Sequence, residues 1–308
     1  MENIISVRNL SQRYGHGRQI YENLSFDVPR GSLLGLLGKN GTGKTTTINI
    51  LMGFLKPQSG HCSIFGEEIT ALRPETRARI ALLLEGHVQY SFMTIAGIEK
   101  FYSRFYPRWN RDAYYGLMEK LRVSPGQKIS SMSNGQRSQV ALGLILAQNA
   151  DLLVLDDFSL GLDPGYRRLF ADYLREFVKA EGKTVFMTSH IIQDLERLID
   201  DCIILDYGKI LTHKPVKELM STLHLYTLPC PETPGPVAPG PVAPVLGRSA
   251  PDGIYAPWES AGAIEFHSFL PEAEVAARLR QAGIPADGLI SSPIASLEDA
   301  FIGLTGRY

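Results

Sequence analysis

A glycine-rich run that follows a short apolar stretch constrains the fold more than any other segment of this chain. The apolar stretch covers residues 33–37, and the run satisfies the pattern G-x4-G-K-[ST] with Gly38, Lys39, Asn40, Gly41, Thr42, Gly43, Lys44 and Thr45. Glycines let the backbone wrap closely around phosphate oxygens, and the N-terminus of a following helix adds partial positive charge. Lys44 would then bridge the β and γ phosphates, and the Thr45 hydroxyl would bind Mg²⁺. The run therefore predicts a strand, a phosphate-binding loop and a helix in a protein that binds a nucleoside triphosphate.

Two acidic residues end a second apolar stretch. Residues 152–155 are all apolar, and Asp156 and Asp157 follow them. Ligands of parallel sheets collect at the carboxyl ends of the strands, so Asp156 is predicted to hold the metal ion. Asp157 points in a different direction and is predicted to act on the attacking water. An aspartate pair that merely caps a turn is the alternative, which the phosphate loop disfavours.

Short apolar runs alternate with amphipathic stretches from Met1 to about Met220, a pattern that predicts a mainly parallel sheet covered by helices. The predicted strands are residues 33–37, 80–84, 152–155, 184–187 and 202–205. Between about residues 86 and 150 the strand signal fades, and helical periodicity predicts a helical insert in the sheet. Its predicted helices are residues 98–106, 111–121 and 136–148.

The prolines mark a junction further along the chain. Nine of the 19 prolines fall between Pro229 and Pro257, and the sequence PGPVA occurs twice in tandem there. Such a segment favours extended polyproline II structure, so residues 221–260 are predicted to be a linker. A ligand for a proline-binding module is the alternative. Beyond it, residues 261–308 are predicted to form a small α+β extension, with a strand at 263–269 and helices at 271–281 and 296–304.

Charge and cysteine usage bear on partners and compartment. Lys and Arg total 31 against 32 for Asp and Glu, which argues against a protein that coats nucleic acid. No apolar stretch approaches the length of a membrane span, and the three cysteines are far apart. We therefore expect a cytoplasmic protein that reaches the cell membrane only through a partner, on its cytoplasmic face.

Taken in order, these motifs resemble those of the ATP-binding subunits of ABC transporters, over about residues 1–220. The resemblance implies an α/β fold, the P-loop NTPase cassette of that family. Its features are a mainly parallel sheet core, an antiparallel β part at the N-terminus and a helical subdomain at about residues 86–150. The implied cofactors are ATP and Mg²⁺.

Further matches to the family concern the nucleotide site. Tyr14 matches the aromatic residue that stacks on adenine, and His190 matches the switch histidine that contacts the γ-phosphate. Thr46 extends the phosphate loop. Asp163 is the last residue of a family loop, residues 159–163, that follows the strand ending in Asp156 and Asp157. The signature motif of the family is matched by Ser133, Asn134, Gly135 and Gln136.

Ser133 and Gln136 also have the spacing of a capping box, so this segment alone would read as an ordinary helix start. In the family, that helix N-terminus meets the ATP of a second cassette, and two nucleotides lie between two chains. The resemblance therefore implies a dimer with a second copy or a paralogous cassette, and a separate transmembrane permease. The sequences FYPRW and SLEDAFIGLTG look most like those of exporter ATPases of the ABC-2 type.

The sequence departs from the family pattern at several positions. Asp157 stands where the family usually has glutamate, and the missing methylene leaves the carboxylate about an ångström further from the water, which can cost around 10²-fold in rate. We therefore predict slow ATP hydrolysis. Glu85 stands at the glutamine of another family loop, with Gln89 four residues on, and either could act there. Asn134 replaces a glycine of the signature.

Five aromatic residues recur at three- and four-residue spacing and are predicted to share one helical face. They are Phe101, Tyr102, Phe105, Tyr106 and Trp109. They would form either the core of the helical insert or, by the resemblance, part of a groove that receives a helix of the membrane subunit.

The sequence thus predicts an ATPase subunit that dimerises on ATP and powers a separate permease of an exporter. The alternative is a soluble ATP-gated clamp that acts on DNA or ribosomes. The chain lacks the long heptad-bearing insert of repair clamps and the second cassette of ribosome-acting members, which favours transport.

Overall fold

The computed structural model describes residues 2–15, 17, 19–84, 90–158, 162–189, 191–229, 251–260 and 262–306. The chain divides into two compact units, Met1–His213 and Lys214–Tyr308. The strands described for the first unit are β1 (Asn3–Arg13), β2 (Gln19–Pro29), β3 (Leu33–Gly38), β4 (Ser59–Ile64), β5 (Glu67–Glu68), β6 (Ile80–Leu83), β7 (Leu152–Leu155), β8 (Thr184–Thr188), β9 (Asp201–Asp206) and β10 (Lys209–Pro215). Its helices are α1 (Lys44–Leu51), α2 (Pro74–Arg77), α3 (Ile95–Tyr102), α4 (Arg111–Lys120), α5 (Asn134–Ala147), α6 (Pro164–Glu181) and α7 (Ile192–Glu196).

Six strands form the central sheet, in the order β10-β9-β3-β8-β7-β6. The five strands from β9 to β6 are parallel, with Leu36 opposite Thr188 and Leu155 opposite Met187. Every residue of β7 and β8 is buried, as expected of a parallel sheet that helices cover on both faces. All five strands predicted from apolar runs are present, and their carboxyl ends lie at one edge of the sheet.

A second sheet, in the order β2-β1-β4-β5, is antiparallel and forms the expected N-terminal β part. It shares one apolar core with α1 and the central sheet. Phe26 of β2 stacks on Phe186 of β8, with ring centroids 5.9 Å apart. Each fully buried side chain of this kind contributes about 1.5–3 kcal/mol, so this core fixes the position of the loop between β3 and α1.

The helical insert contains the three predicted helices with shifted ends. The side chains of Thr94 and Asn110 cap the N-termini of α3 and α4. The prediction that five aromatic residues share one helical face is wrong, because α3 ends at Tyr102. Pro107 disfavours helical backbone at the residue before it, and Phe105, Tyr106 and Trp109 lie beyond the helix.

The strands of the second unit are β11 (His224–Pro229), β12 (Tyr255–Ser260), β13 (Ala263–Ser268) and β14 (Ile290–Pro293). Its helices are α8 (Val216–Thr222), α9 (Glu272–Gln281) and α10 (Leu297–Thr305). The sheet order is β12-β13-β11-β14, and all its pairings are antiparallel. One face of this sheet packs on α9, where Tyr226 stacks on Phe266 at 5.6 Å and both contact the cluster around Val275 and Leu279.

Both ends of the segment predicted as a linker carry regular structure. Residues 224–229 and 255–260 are strands, and β11 is a central strand of its sheet. The partners of β11 are distant in sequence, whereas β12 pairs with the next strand, β13. Each of the two strands contains a proline, Pro229 or Pro257, so the local pattern gave little strand signal. The tandem PGPVA repeats lie outside the described residues, and the division of the chain at residues 220 and 260 stays a prediction.

Candidate functional site

The loop between β3 and α1 has the backbone that a phosphate-binding loop requires. Gly43 stands immediately before α1 with a φ of 101°, and an added Cβ there would lie 2.8 Å from Cε1 of Tyr21. Gly41 also has a positive φ, 79°. The Thr42 hydroxyl donates to the carbonyl oxygen of Lys39 at 2.8 Å, which closes the turn. Glycine at position 43 is therefore required both by the backbone conformation and by the close approach of β2.

Lys44 is the first residue of α1, and its ammonium group lies inside the loop. Its Nζ donates to the carbonyl oxygens of Gly38, at 2.7 Å, and Lys39, at 3.2 Å. Burial lowers the pKa of Lys44, while the charges of Asp157 and Asp156 oppose that shift. A phosphate in the loop would offer this ammonium a charged acceptor in place of two neutral carbonyls.

Asp156 lies at the carboxyl end of β7 and is 1% exposed. Its Oδ1 accepts hydrogen bonds from the hydroxyls of Thr188, at 2.7 Å, and Thr45, at 3.4 Å. Burial raises the pKa of Asp156, and the hydrogen bonds from Thr188 and Thr45 oppose that shift. The predicted metal residues Thr45 and Asp156 are thus in contact although 111 residues separate them.

Thr188 joins the two acids, a position that the sequence analysis missed. Its hydroxyl donates to Asp156, and it accepts from the backbone N–H of Asp157 at 3.0 Å. Asp157 has a φ of 48°, a left-handed conformation that aspartate adopts more readily than most residues. A hydroxyl at the polar end of a buried strand was the available signal, but only the pairing of β7 with β8 places it beside the acids.

Tyr14 directly follows β1, so it precedes the phosphate loop in the sequence, whereas the two acids come after the loop. Its side chain is half exposed. Its hydroxyl forms a hydrogen bond with the hydroxyl of Thr46, in the first turn of α1, at 3.2 Å. The structure therefore brings together Tyr14, the loop and Asp156 with Asp157, three segments that are separate in the sequence.

The signature residues stand at the start of α5. Ser133 Oγ accepts from the backbone N–H of Gln136 at 3.2 Å, and Gln136 Oε1 accepts from the N–H of Ser133 at 3.1 Å. The capping box that the spacing predicts is confirmed. Asn134 is exposed, and Gly135 is buried against the ring of Tyr166.

Asp163 has a local structural role besides the one predicted for it. Its Oδ1 accepts from the backbone N–H groups of Gly165, at 3.0 Å, and Tyr166, at 3.1 Å, and so caps the N-terminus of α6. The remaining predicted site residues, Glu85, Gln89, the start of the 159–163 loop and His190, lie outside the described residues.

The donor set suits Mg²⁺ and a triphosphate. A hydroxyl and a carboxylate oxygen are ligands that Mg²⁺ accepts, and this ion usually completes its shell with waters and substrate phosphates. Within the described ranges, no group of three or more His, Cys, Asp and Glu side chains is arranged to hold a metal ion. When bound there, the ion would neutralise charge that develops on the phosphates.

The sequence matches the family model described as "ABC transporter" over residues 21–159. It is 31% identical over 223 residues to the Nod factor export ATP-binding protein I of Ralstonia nicotianae, an alignment that covers 71% of this chain and 69% of that one. The chain belongs to the ABC transporter ATP-binding proteins. It is also similar to the bacitracin transport ATP-binding protein BcrA of Bacillus licheniformis, with 29% identity over 71% of this chain and 72% of the relative.

Solved structures of ABC ATP-binding cassettes share the fold. The ATP-binding subunit of an ABC transporter superposes with a TM-score of 0.61 and 25% identity, over 70% of this chain and 91% of that one. A dimeric cassette in a post-hydrolysis state, bound to ADP and Pi, has a TM-score of 0.59 and 20% identity, over 69% and 98% of the two chains. The expected α/β P-loop fold of the family is confirmed. In the described part of this ABC protein, no helix has the length and apolar character needed to cross a membrane.

Proposed function

We propose that this protein is the ATP-hydrolysing subunit of an ABC exporter, which closes as a dimer on two ATP molecules and drives a separate transmembrane permease. The observation that carries the proposal is the hydrogen-bonded group at the phosphate loop, in which Thr45, Asp156 and Thr188 converge. This group joins a metal-binding pair to Asp157, the candidate base.

The predicted site residues have distinct parts in the proposed reaction. Lys44 binds the β and γ phosphates, while Thr45 and Asp156 hold Mg²⁺. Asp157 accepts a proton from the attacking water, and Tyr14 stacks on adenine. His190 contacts the γ-phosphate, and Glu85 or Gln89 contacts the metal or its water.

Slow hydrolysis is part of the proposal. The carboxylate of Asp157 is one methylene shorter than that of glutamate, and misplacement by about an ångström can cost around 10²-fold. The left-handed backbone at this residue favours Asp over Glu, so the shorter acid suits the local conformation.

Dimer formation rests on the N-terminus of α5. The capping box uses the backbone N–H groups of Ser133 and Gln136, so the anion is expected at those of Asn134 and Gly135, where the dipole of this 14-residue helix favours negative charge. In the proposed dimer, Ser133 to Gln136 of one chain meet the ATP held by the other, and Asp163 lies at the same interface.

The direction of transport and the membrane partner are inferred from the relatives. Relatives named for Nod factor export and for bacitracin transport are both ATP-binding proteins of transport systems. We therefore place this chain at the cytoplasmic face of a membrane, bound to a permease that carries the substrate path.

Nucleotide chemistry is tested with Asp157→Asn in the full chain. We expect this variant to bind ATP with unchanged affinity, to lose turnover, and to elute as a dimer with ATP in size-exclusion chromatography with light scattering. Asp157→Glu should raise the turnover number by roughly 10- to 10²-fold. The control is Asp172→Asn, an exposed acid of α6, which should behave like the native protein. Unchanged turnover in Asp157→Asn would remove Asp157 from the role of base.

The transport assignment is tested by purification from detergent-solubilised membranes. Recovery of the chain with a multi-span membrane protein, which then stimulates its ATP hydrolysis, is the expected result. Recovery only with ribosomes or nucleic acid would overturn the assignment, while leaving the nucleotide chemistry intact.

A further inference from the structure

A pocket of about 530 Å³ lies on the second face of the C-terminal sheet. Side chains of a strand alternate between the two faces of its sheet. In β13, Ile264 and Phe266 belong to the apolar core on the α9 side, whereas Glu265 and His267 line the pocket. Asp299 and Ile302 of α10 also line the pocket, and we call it the α10 pocket.

The side chains of the α10 pocket combine apolar surface, an aromatic ring and carboxylates. Leu225, Ile294 and Ile302 supply apolar surface. The Trp258 indole stacks on the His267 imidazole, with centroids 5.3 Å apart and ring planes 28° apart. The charged groups are the carboxylates of Glu265 and Asp299, and the described lining residues include neither lysine nor arginine.

Two local features fix the shape of the α10 pocket. The Ser296 hydroxyl donates to Oδ2 of Asp299 at 2.7 Å and also accepts from the Asp299 backbone N–H, which holds this carboxylate at the first turn of α10. Gly303 lets α10 approach the sheet, because an added Cβ would lie 2.6 Å from Nδ1 of His267. The pocket is thus a product of side chains that are themselves held in place.

We propose that the α10 pocket binds an organic ammonium ion with a compact apolar body. Its volume falls in the range of small-molecule sites, roughly 300–1,000 Å³. Two carboxylates attract a cation and repel an anion, and an indole adds cation–π attraction. Two carboxylates are fewer oxygen ligands than a bare Ca²⁺ ion takes, whereas the apolar walls suit a hydrocarbon body.

The test titrates the full-length protein with 2-phenylethylammonium at pH 8, where the amine is protonated because an alkylammonium has a pKa of about 10. Binding is followed by tryptophan fluorescence and calorimetry. The neutral 2-phenylethanol and the anionic 3-phenylpropanoate have bodies of similar size. We expect the ammonium to bind at least tenfold more tightly than the alcohol, and the carboxylate not to bind. Equal affinity for the ammonium and the alcohol would overturn the proposal.

Variants assign the binding to this pocket. Glu265→Gln combined with Asp299→Asn should raise Kd at least tenfold, whereas Glu259→Gln, an exposed acid of β12, should leave Kd unchanged. Ala295→Phe should fill the pocket from its exposed rim and abolish binding with both carboxylates retained. Unchanged binding in Ala295→Phe would overturn the proposal even if the double variant failed to fold. Displacement of the amine by equimolar calcium would also overturn it, in favour of a metal site.

Discussion

The two units of this chain contain sheets of opposite kinds, and their candidate sites differ accordingly. The central sheet of the first unit is parallel over five strands, is buried on both faces and places Asp156, Asp157 and Thr188 at its carboxyl edge. The sheet of the second unit is antiparallel and buries one face on α9, while its other face lines the α10 pocket. A sheet covered on both faces offers a ligand only its edge, whereas a sheet covered on one face also offers a surface.

If the two units differ as described, each should have its own free energy of unfolding, and this is the first expectation to test. The chain has two tryptophans, Trp109 in the first unit and Trp258 in the second, so each single Trp→Phe variant leaves one reporter. In such backgrounds, Phe266→Ala should lower the free energy of unfolding seen by Trp258 by about 3–5 kcal/mol, because it leaves a cavity beside Tyr226. Urea unfolding followed by fluorescence measures the effect.

The exposed residue Ile290 provides the matched control, since Ile290→Ala should change stability by no more than about 0.5 kcal/mol. If Trp109 reported the same loss as Trp258 in Phe266→Ala, the two units would unfold as one.

Independence of the two candidate sites is tested at the phosphate loop. Lys44→Ala should lower the turnover number for ATP by roughly 10²- to 10³-fold, because a preorganised cation at the phosphates is removed. Binding of 2-phenylethylammonium to the second unit should not change. Lys56→Ala, at an exposed lysine after α1, is expected to leave both measurements at the native level.

The role of the hydroxyl that joins the two acids is tested with Thr188→Val. The substitution keeps the shape of the side chain but removes the donor to Asp156 and the acceptor of the Asp157 N–H. We expect a loss of about 1–3 kcal/mol in stability and a roughly tenfold fall in turnover, with a higher Mg²⁺ requirement. Thr188→Ser keeps the hydroxyl and should restore the Mg²⁺ dependence. Native turnover in the valine variant would reduce Thr188 to a packing residue.

The smallest expected effect is on stability and concerns Asp151, the residue just before β7. Burial raises the pKa of Asp151, but hydrogen bonds from Arg108, at 2.8 Å, and Arg79, at 2.6 Å, outweigh it and lower the pKa to about 2. Because the carboxyl pKa is lowered in the folded state, ionised Asp151 stabilises the fold at pH values above its ordinary pKa of 3.8. This contribution is lost as the pH falls towards 2.

Asp151→Asn should therefore cost about 1–2 kcal/mol at pH 7, after allowance for the partly exposed arginines, and almost nothing at pH 2. The Trp109 reporter should detect this loss and the Trp258 reporter should not. An equal loss at both pH values would mean that packing, rather than charge, carries the effect.

Local patterns in the sequence predicted the elements whose signal is contained in a few neighbouring residues. The loop from Gly38 to Thr45, the strand before Asp156 and the capping box of Ser133 with Gln136 are all of this kind. The aromatic helix was predicted too long because spacing alone suggested a continued helix, whereas α3 ends at Tyr102 and Pro107 disfavours helical backbone at Tyr106. Strand β11 was missed because its partners are distant: Tyr226 pairs with Phe266 and Ser291, which are 40 and 65 residues further along the chain.

The sequence by itself determined the phosphate loop, the order of the family motifs and the residues that hold metal and nucleotide in the proposed reaction, because these depend on residue type at short spacing. Tertiary structure alone decided that Thr45 and Thr188 meet at Asp156, since that contact depends on the order and register of β3, β8 and β7. It also decided the α10 pocket, whose side chains come from four strands, a loop and a helix. Short-range preferences select elements, whereas contacts between distant segments require the packed core that brings them together.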